Sequence, residues 1–456
     1  MSSCILFISA GMLNNKKKIQ IDSLYLNYGF LGLASLVNQK LKKVKFFQAN
    51  LFSPEELFNK LEEKSLVKNT KYPIFISIPS FFAITWAQKF ITILKNKFPN
   101  KKIIIGGRWV LDNDIWVKEK FPLVNVIVKG QAENIIEKLV TSDFKGQVVI
   151  NEDVGINTEI PELNYAILDD FIEYSPSIEL SRGCGKGCSF CADKNVKLSN
   201  IKSADKVILE ILDLIKLYDD KKLNFYFESS IFQPSNLWID EFNFLYQKNN
   251  LEILWRCETR VDTFSSKKIK QLSKSGLKVI DLGLESASEI QLKRMNKTSN
   301  PSKYLLKASE LLKICYEENI WVKVNILLYP GESSITINET INWLNKHRKY
   351  IKGISAYPLI LYGTSSQTQF FFNTLKDSGA TLKDGILSDS GITYLNLSDE
   401  ISYDKSLEIA KMISKLFMTQ KDYYDLKKFN YFPRNYTYKD FVKSINLLDK
   451  NELTFN

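Results

Sequence analysis

The chain has 456 residues, 45% apolar and 25% charged, an ordinary globular make-up with core enough for about two to four domains. No stretch approaches the ~20 uninterrupted apolar residues of a membrane span, so no membrane partner is expected. The net charge of +11 comes from scattered lysines, which a solvated surface explains; it supports no nucleic-acid partner by itself.

In chain order, strands are expected at 4–9, 44–48, 72–78, 102–105 and 124–128, alternating with helices at 31–42, 54–63, 83–97 and 132–140. Short apolar runs alternating with amphipathic helices predict a doubly wound parallel sheet over residues 1–150. Such sheets bind ligands beyond the carboxyl ends of their strands. Those ends carry Ser9-Ala10-Gly11, Ser77-Ile78-Pro79-Ser80, Gly106-Gly107-Arg108 and Gly130-Gln131-Ala132-Glu133. The glycines are expected to admit a large ligand close to the backbone. The apolar run 4–13 lacks preceding basic residues and a convincing cleavage site, so it reads as the first buried strand. Residues 151–176 form a polar linker with Pro161, Asp169-Asp170 and Tyr174-Ser175-Pro176.

Strand–helix alternation resumes over 177–364, with strands expected at 177–181, 223–228, 252–258, 278–282, 321–327 and 353–359. Six strand–helix repeats suit the partial (β/α)6 barrel of the family that the cysteine loop below resembles, and in barrels of this type active residues gather at the carboxyl ends of the strands. After the first strand stands Ser181-Arg182-Gly183-Cys184-Gly185-Lys186-Gly187-Cys188-Ser189-Phe190-Cys191. Thiolates ligate iron–sulfur clusters, and a 4Fe–4S cluster takes four; three close cysteines leave one iron open to a small molecule. A zinc site also needs four ligands, and only Cys4, Cys257, Cys315 and His347 remain as distant recruits. Six cysteines are too few for a disulfide framework and point to a reducing cytoplasm. Strand three alternates Arg256, Glu258 and Arg260 with Trp255, Cys257 and Thr259. The charged set is expected to face the barrel lumen, where a ligand or partners can satisfy it, and Cys257 the helices. His347, the single histidine, removes Ser–His, Cys–His and multi-histidine mechanisms and is expected at the surface. Residues 365–456 form a small, mainly helical C-terminal region with an amphipathic helix at 403–419 and an aromatic, basic tail.

The cysteine loop, with Phe190 before its last cysteine, resembles that of the radical S-adenosylmethionine superfamily. Gly283-Leu284-Glu285-Ser286, the strand end Glu228-Ser229-Ser230 and Leu328-Tyr329-Pro330-Gly331-Glu332 resemble the family's later segments in the same order. The resemblance implies a 4Fe–4S cluster on Cys184, Cys188 and Cys191, with S-adenosylmethionine near Phe190, Glu228, Arg260, Glu285 and Ser286. Leu328 replaces the family's first glycine, which makes close approach of the nucleoside there less assured. Gly29-Phe30-Leu31-Gly32-Leu33, the Gly106-Gly107 pair and Gly130-Gln131-Ala132-Glu133 resemble the cobalamin-binding domain ahead of many such barrels. That implies cobalamin at Ser9, Gly11, Ser77, Pro79, Ser80, Gly106, Gly107, Gly130 and Glu133. A histidine-bearing cobalt loop is absent, so cobalt must be held without histidine.

The resemblance implies a class B-like methyltransferase that generates a 5′-deoxyadenosyl radical and methylates an unactivated carbon of a small-molecule or peptide substrate. An electron donor such as flavodoxin or ferredoxin is the expected partner. A ring-forming, rearranging or epimerising radical enzyme is the first alternative. A non-catalytic iron–sulfur or nucleic-acid-binding protein is the second, suggested by the charge and by the aromatic runs at 370–372 and 431–438.

Overall fold

Ile5-Leu6-Phe7-Ile8-Ser9 is buried along its whole length, as a central strand covered by helices on both faces must be. The computed structural model describes residues 3–12, 23–41, 43–107, 114–144, 146–152, 159–191 and 193–456. Leu13, Lys42, Arg108 and residues 153–158 of the expected linker lie outside them. The chain divides into two units, 1–174 with 362–364, and 175–361 with 365–456.

The first unit runs β1 (Ile5–Ser9), α1 (Tyr28–Leu41), β2 (Val44–Gln48), α2 (Pro54–Glu63), α3 (Leu66–Asn69), β3 (Ile74–Ser77), α4 (Ile84–Lys97), β4 (Ile103–Gly106), α5 (Asp114–Lys120), β5 (Val126–Gly130), α6 (Ile136–Thr141) and β6 (Val148–Glu152). Its six parallel strands lie in the order β2-β1-β3-β4-β5-β6. The strand order therefore reverses between β1 and β3, the place where doubly wound sheets bind ligands. β6 is one strand more than expected, built on Val148-Val149-Ile150. α1 starts earlier than expected because Asn27 caps it: its Oδ1 accepts from the Phe30 N–H at 3.2 Å. Gly29 and Gly32 consequently lie inside the helix rather than ahead of it.

The second unit begins β7 (Ser177–Ser181), α7 (Ala204–Tyr218), β8 (Asn224–Ser229), α8 (Asn236–Lys248), β9 (Leu254–Arg260), α9 (Ser266–Ser273), β10 (Leu277–Glu285), α10 (Glu289–Arg294), α11 (Pro301–Glu317), β11 (Trp321–Leu328), α12 (Ser334–Lys346) and β12 (Gly353–Pro358). These strands are parallel and neighbour one another in chain order, the partial barrel expected from six strand–helix repeats. The outer face is apolar. Trp255 stacks on Phe227 at 4.6 Å and meets Phe242 of α8 edge-on. Cys257 is fully buried on that same face of β9.

β13 (Ile360–Tyr362), α13 (Ser365–Lys376), β14 (Thr381–Leu382), β15 (Ile392–Asn396), α14 (Tyr403–Phe417), α15 (Gln420–Lys428) and α16 (Tyr438–Ile445) complete the chain. α14 packs on β12, where the Ala356 N–H donates to Ser414 Oγ at 3.2 Å. The aromatic tail is largely a core rather than a surface: Phe432 and Phe441 are fully buried and pack with Tyr423 and Tyr424. That corrects its reading as a nucleic-acid-binding run, because rings packed on one another cannot stack on bases. The surface placement of His347 is also corrected. It ends α12, stacks on Trp343 at 4.0 Å and sets Nδ1 2.7 Å from the Trp343 carbonyl, leaving it 6% exposed.

Candidate active site

The cysteine loop leaves β7 through three glycines that all have positive φ: Gly183 at 73°, Gly185 at 66° and Gly187 at 73°. A Cβ on Gly183 would lie 2.2 Å from the Lys197 carbonyl, so no other residue fits there. The Cys184 N–H donates to Val196 and the Ser189 N–H to Met295, while Asn296 Nδ2 donates to the Gly187 carbonyl. The loop is thus fixed from both sides. All three thiols are free. Arg260 Nη1 donates to Cys188 Sγ at 2.9 Å and the Asp193 N–H to Cys191 Sγ at 3.3 Å. Burial pushes the Cys191 thiol up, so loading a metal centre must displace its proton. Sulfurs that receive N–H donors on a glycine-shaped loop fit a thiolate-ligated cluster.

The residues expected near S-adenosylmethionine fall into two groups. Phe190 meets Tyr329 edge-on at 6.5 Å, with Lys297 Nζ 5.8 Å above its ring. Lys297 Nζ donates to Glu285 Oε1 at 2.9 Å, and Glu285 sits at φ 70° at the end of β10. Arg260 is more heavily engaged than strand alternation could show: besides Cys188 it binds Asp262 and the Lys297 carbonyl. Ser286 is 2% exposed; its Oγ accepts from the Ser288 N–H and meets Thr340 Oγ1, so it fixes the turn. Lys297 and Asp262 were not singled out from sequence, since neither belongs to a recurring motif.

The inner face carries an ionisable residue at one level of five adjacent strands. The register sets Glu179 beside Glu228, Glu258 beside Asp281, and Asp281 beside Lys323. The outer members are compensated: Glu179 by Arg182, Asp281 by Arg256 and Lys323. Burial would raise the Asp281 carboxyl, but those two cations hold it well below the usual carboxylate range. Burial and then the Asp281 charge push Glu258 up to about 7, a shift that lumen water blunts because the side chain remains open to it. Burial pushes half-buried Glu228 up to about 8 although Ser177 Oγ donates to it at 2.9 Å.

Glu228 gives a pH prediction. An unfolded glutamate loses its proton near pH ~4.3, whereas the folded chain keeps this one to about 8. The folded state binds more protons between these values, so stability falls as pH rises through that window. Glu228→Gln is expected to flatten the fall, seen as a shallower decline of the urea midpoint from about pH 5 to pH 8. Parallel declines in both proteins would show that lumen water, not burial, sets this group.

In the first unit the switch point is plugged by polar side chains. Asn27 Nδ2 donates to Ser9 Oγ at 3.1 Å and to Ser77 Oγ at 3.0 Å, and Gln48 Nε2 reaches Ser9 Oγ. Ser9 and Ser77 therefore brace the strand ends. A Cβ on Gly11 would meet the Ala49 carbonyl at 2.4 Å, and one on Gly107, at φ 131°, the Ile78 carbonyl at 2.1 Å. Those two glycines serve close approach of backbone to backbone, where the sequence suggested approach to a ligand. Gly106 has only ordinary contacts with Val128, and Gly130 takes φ 79° as the last residue of β5. Ser80, after Pro79, has a buried Oγ with no hydrogen-bond partner among the described residues. That orphaned hydroxyl at the carboxyl edge suits a bound polar ligand. Glu133 is also placed at this edge, three residues past Gly130.

Residues 178–344 match the model of the Radical SAM superfamily: the chain carries a radical SAM domain, and with it that domain's 4Fe–4S cluster and S-adenosylmethionine. An uncharacterized methyltransferase of Pyrococcus horikoshii is 23% identical over 281 residues, covering 56% of this chain and 60% of that protein. An anaerobic magnesium-protoporphyrin IX monomethyl ester cyclase of Rubrivivax gelatinosus is 26% identical over 294 residues, covering 57% and 51%. The matches thus span about half to three-fifths of these relatives' length. In fold, the chain is similar to the cobalamin-dependent S-adenosylmethionine radical enzyme OxsB with aqua-cobalamin bound, with a TM-score of 0.63 and 15% identity over 90% of this chain and 66% of that one. It is also similar to the radical S-adenosylmethionine methyltransferase TsrM of Kitasatospora setae, with a TM-score of 0.55 and 14% identity over 78% and 73%. Among the described residues no helix is long and apolar enough to cross a membrane.

Proposed function

We propose that the chain is a cobalamin-binding radical S-adenosylmethionine C-methyltransferase acting on a small molecule or peptide. The observation that carries the reading is the loop of three free thiols at the carboxyl end of the first barrel strand, with Arg260 donating to Cys188. The methyltransferase among the relatives and the fold shared with OxsB and TsrM support it. When bound, the cluster supplies the electron that cleaves S-adenosylmethionine to a 5′-deoxyadenosyl radical, and cobalamin supplies a methyl group for a carbon that is no nucleophile.

Cys184, Cys188 and Cys191 hold three irons in this reading, and the Arg260 N–H stabilises negative charge on the Cys188 sulfur. Glu285 and Lys297, paired and both largely buried, present a fixed charge pair beside Phe190 for the amino acid end of S-adenosylmethionine. Glu228 lines the same inner wall, and Ser286 holds the Glu285 turn. Ser80, Pro79, Gly106, Gly107, Gly130 and Glu133 frame the cobalamin edge, with Ser9, Ser77 and Gly11 shaping it from beneath. The single histidine, His347, is held against Trp343, so cobalt is bound without it.

Purified anaerobically and reduced through flavodoxin or ferredoxin, the protein is expected to form 5′-deoxyadenosine, and S-adenosylhomocysteine only when cobalamin is present. The Co(II) form should show no nitrogen superhyperfine coupling from the protein. Deoxyadenosine without any S-adenosylhomocysteine would overturn methyl transfer. It would favour the second reading, a ring-forming, rearranging or epimerising enzyme, for which the likeness to the Rubrivivax gelatinosus cyclase speaks.

A further inference from the structure

The cysteine loop and the segment behind it are more basic than the rest of the chain. Residues 182–203 hold five cations and a single acid, Asp193, where the whole chain has 62 cations to 51 acids. Two of the five are spent within the protein, Arg182 on Glu179 and Lys202 on Glu210. Lys186, Lys194 and Lys197 stay exposed, and none of them has a carboxylate within ion-pair distance among the described residues. Asp262 feels the Lys186 charge, but its ion pair is with Arg260. Lys194 Nζ stands 5.6 Å from the Phe371 ring.

These lysines lie over the thiols. Lys186 stands between Gly185 and Gly187, two residues from both Cys184 and Cys188. Lys197 belongs to the segment that backs the loop: the Val196 carbonyl accepts from the Cys184 N–H, and a Cβ on Gly185 would come 3.6 Å from Lys197 Cα. The Lys194 N–H donates to the Cys191 carbonyl at 3.3 Å. Val196, 40% exposed, adds an apolar side chain beside them. Cys184 and Cys191 are only partly buried, so the sulfurs sit close beneath this surface.

Such a place suits the entry of an electron. Tunnelling fades steeply with distance, so a reduced carrier must bring its redox group near the thiol-bound centre. Small one-electron carriers of the flavodoxin and ferredoxin kind are acidic proteins. A group of exposed cations without acids to answer them steers and orients a partner of that charge. We propose that the surface of Lys186, Lys194 and Lys197 around Val196 is the docking site of an acidic one-electron carrier protein. The proposal rests on the radical S-adenosylmethionine reading for the cluster that receives the electron. One electron leaves the reduced carrier and enters the cluster, the carrier departs oxidised by one electron, and no bond forms or breaks at this surface.

The test is the dissociation constant of an acidic flavodoxin for the full-length, cluster-loaded protein, measured for the natural chain and for Lys194→Glu with Lys197→Glu. A control reverses two exposed lysines on the outer helices, Lys248→Glu with Lys270→Glu. At about 50 mM salt the first variant is expected to bind about tenfold more weakly and the control about as well as the natural chain, the gap closing near about 0.5 M salt as screening takes over. If the charge reversal fails to fold or to load iron, Lys194→Gln with Lys197→Gln gives the same comparison with a loss of about threefold. Dithionite, a small reductant that needs no docking surface, should yield equal 5′-deoxyadenosine from the natural chain and the variant. Equal flavodoxin binding by these two proteins, or none by the natural chain, would overturn the docking site alone. No deoxyadenosine from either with dithionite would overturn the radical reading and the proposal with it. Loss of binding to a single-stranded oligonucleotide in place of flavodoxin would assign the surface to nucleic acid and likewise overturn it.

Discussion

Replacing any one of Cys184, Cys188 or Cys191 by alanine is expected to abolish cluster assembly, with iron and sulfide near background and no 5′-deoxyadenosine formed. Three thiolates are already one fewer than a 4Fe–4S cluster takes, so losing another leaves two irons without protein ligands. Three of the four distant recruits cannot compensate. Cys257 is buried on the outer face of β9, Cys315 is buried in α11, and His347 is locked against Trp343. Cys257→Ala and Cys315→Ala should therefore load normally while losing some stability, as buried thiols do when truncated. Arg260→Lys is expected to fall between: an ammonium cannot hold Cys188, Asp262 and the Lys297 carbonyl together, so the cluster should assemble but react more slowly. Full iron, sulfide and deoxyadenosine from any of the three loop variants would refute the ligand set.

The largest effect on stability is expected from Asp281→Asn. The Arg256 and Asp281 side chains are 1% and 4% exposed, so this pair is buried in the full sense, unlike most ion pairs of the surface. Removing the charge leaves Arg256 and Lys323 facing each other with Lys427 close by. Breaking a buried pair from one side costs roughly 3–5 kcal/mol, because the remaining charge keeps its desolvation penalty. Chemical denaturation followed by tryptophan fluorescence should report it, since Trp255 lies next to Arg256 on β9. The double replacement Arg256→Met with Asp281→Leu should recover much of the loss, as apolar side chains of similar volume often replace a buried pair at little cost. A loss below about 1 kcal/mol for Asp281→Asn would mean that water enters the lumen and solvates these charges.

The cysteine loop was legible because its information is local: three thiols at a fixed spacing, and glycines whose positive φ the backbone demands. The strands were legible for a related reason, since an apolar run between helices has few places to go but a buried parallel sheet. Period two even sorted β9 by face, placing Arg256 inward and Trp255 and Cys257 among the helices. What sequence could not supply was the partner of each polar group. Gly11 and Gly107 look like cofactor glycines until the fold sets the Ala49 and Ile78 carbonyls against them. Ser9 and Ser77 become braces only once Asn27 is brought between two strand ends. His347 and Phe432 lie in stretches with the composition of a surface, yet a folded-back ring and a packed tail bury them. The carboxylate row on the inner wall, and the cavity where Arg256, Lys323 and Lys427 meet, draw on strands and helices far apart in the chain. Thiol spacing and apolar periodicity act over a few residues and can be read along the chain; charge balance and close approach depend on register between distant segments, which tertiary structure alone sets.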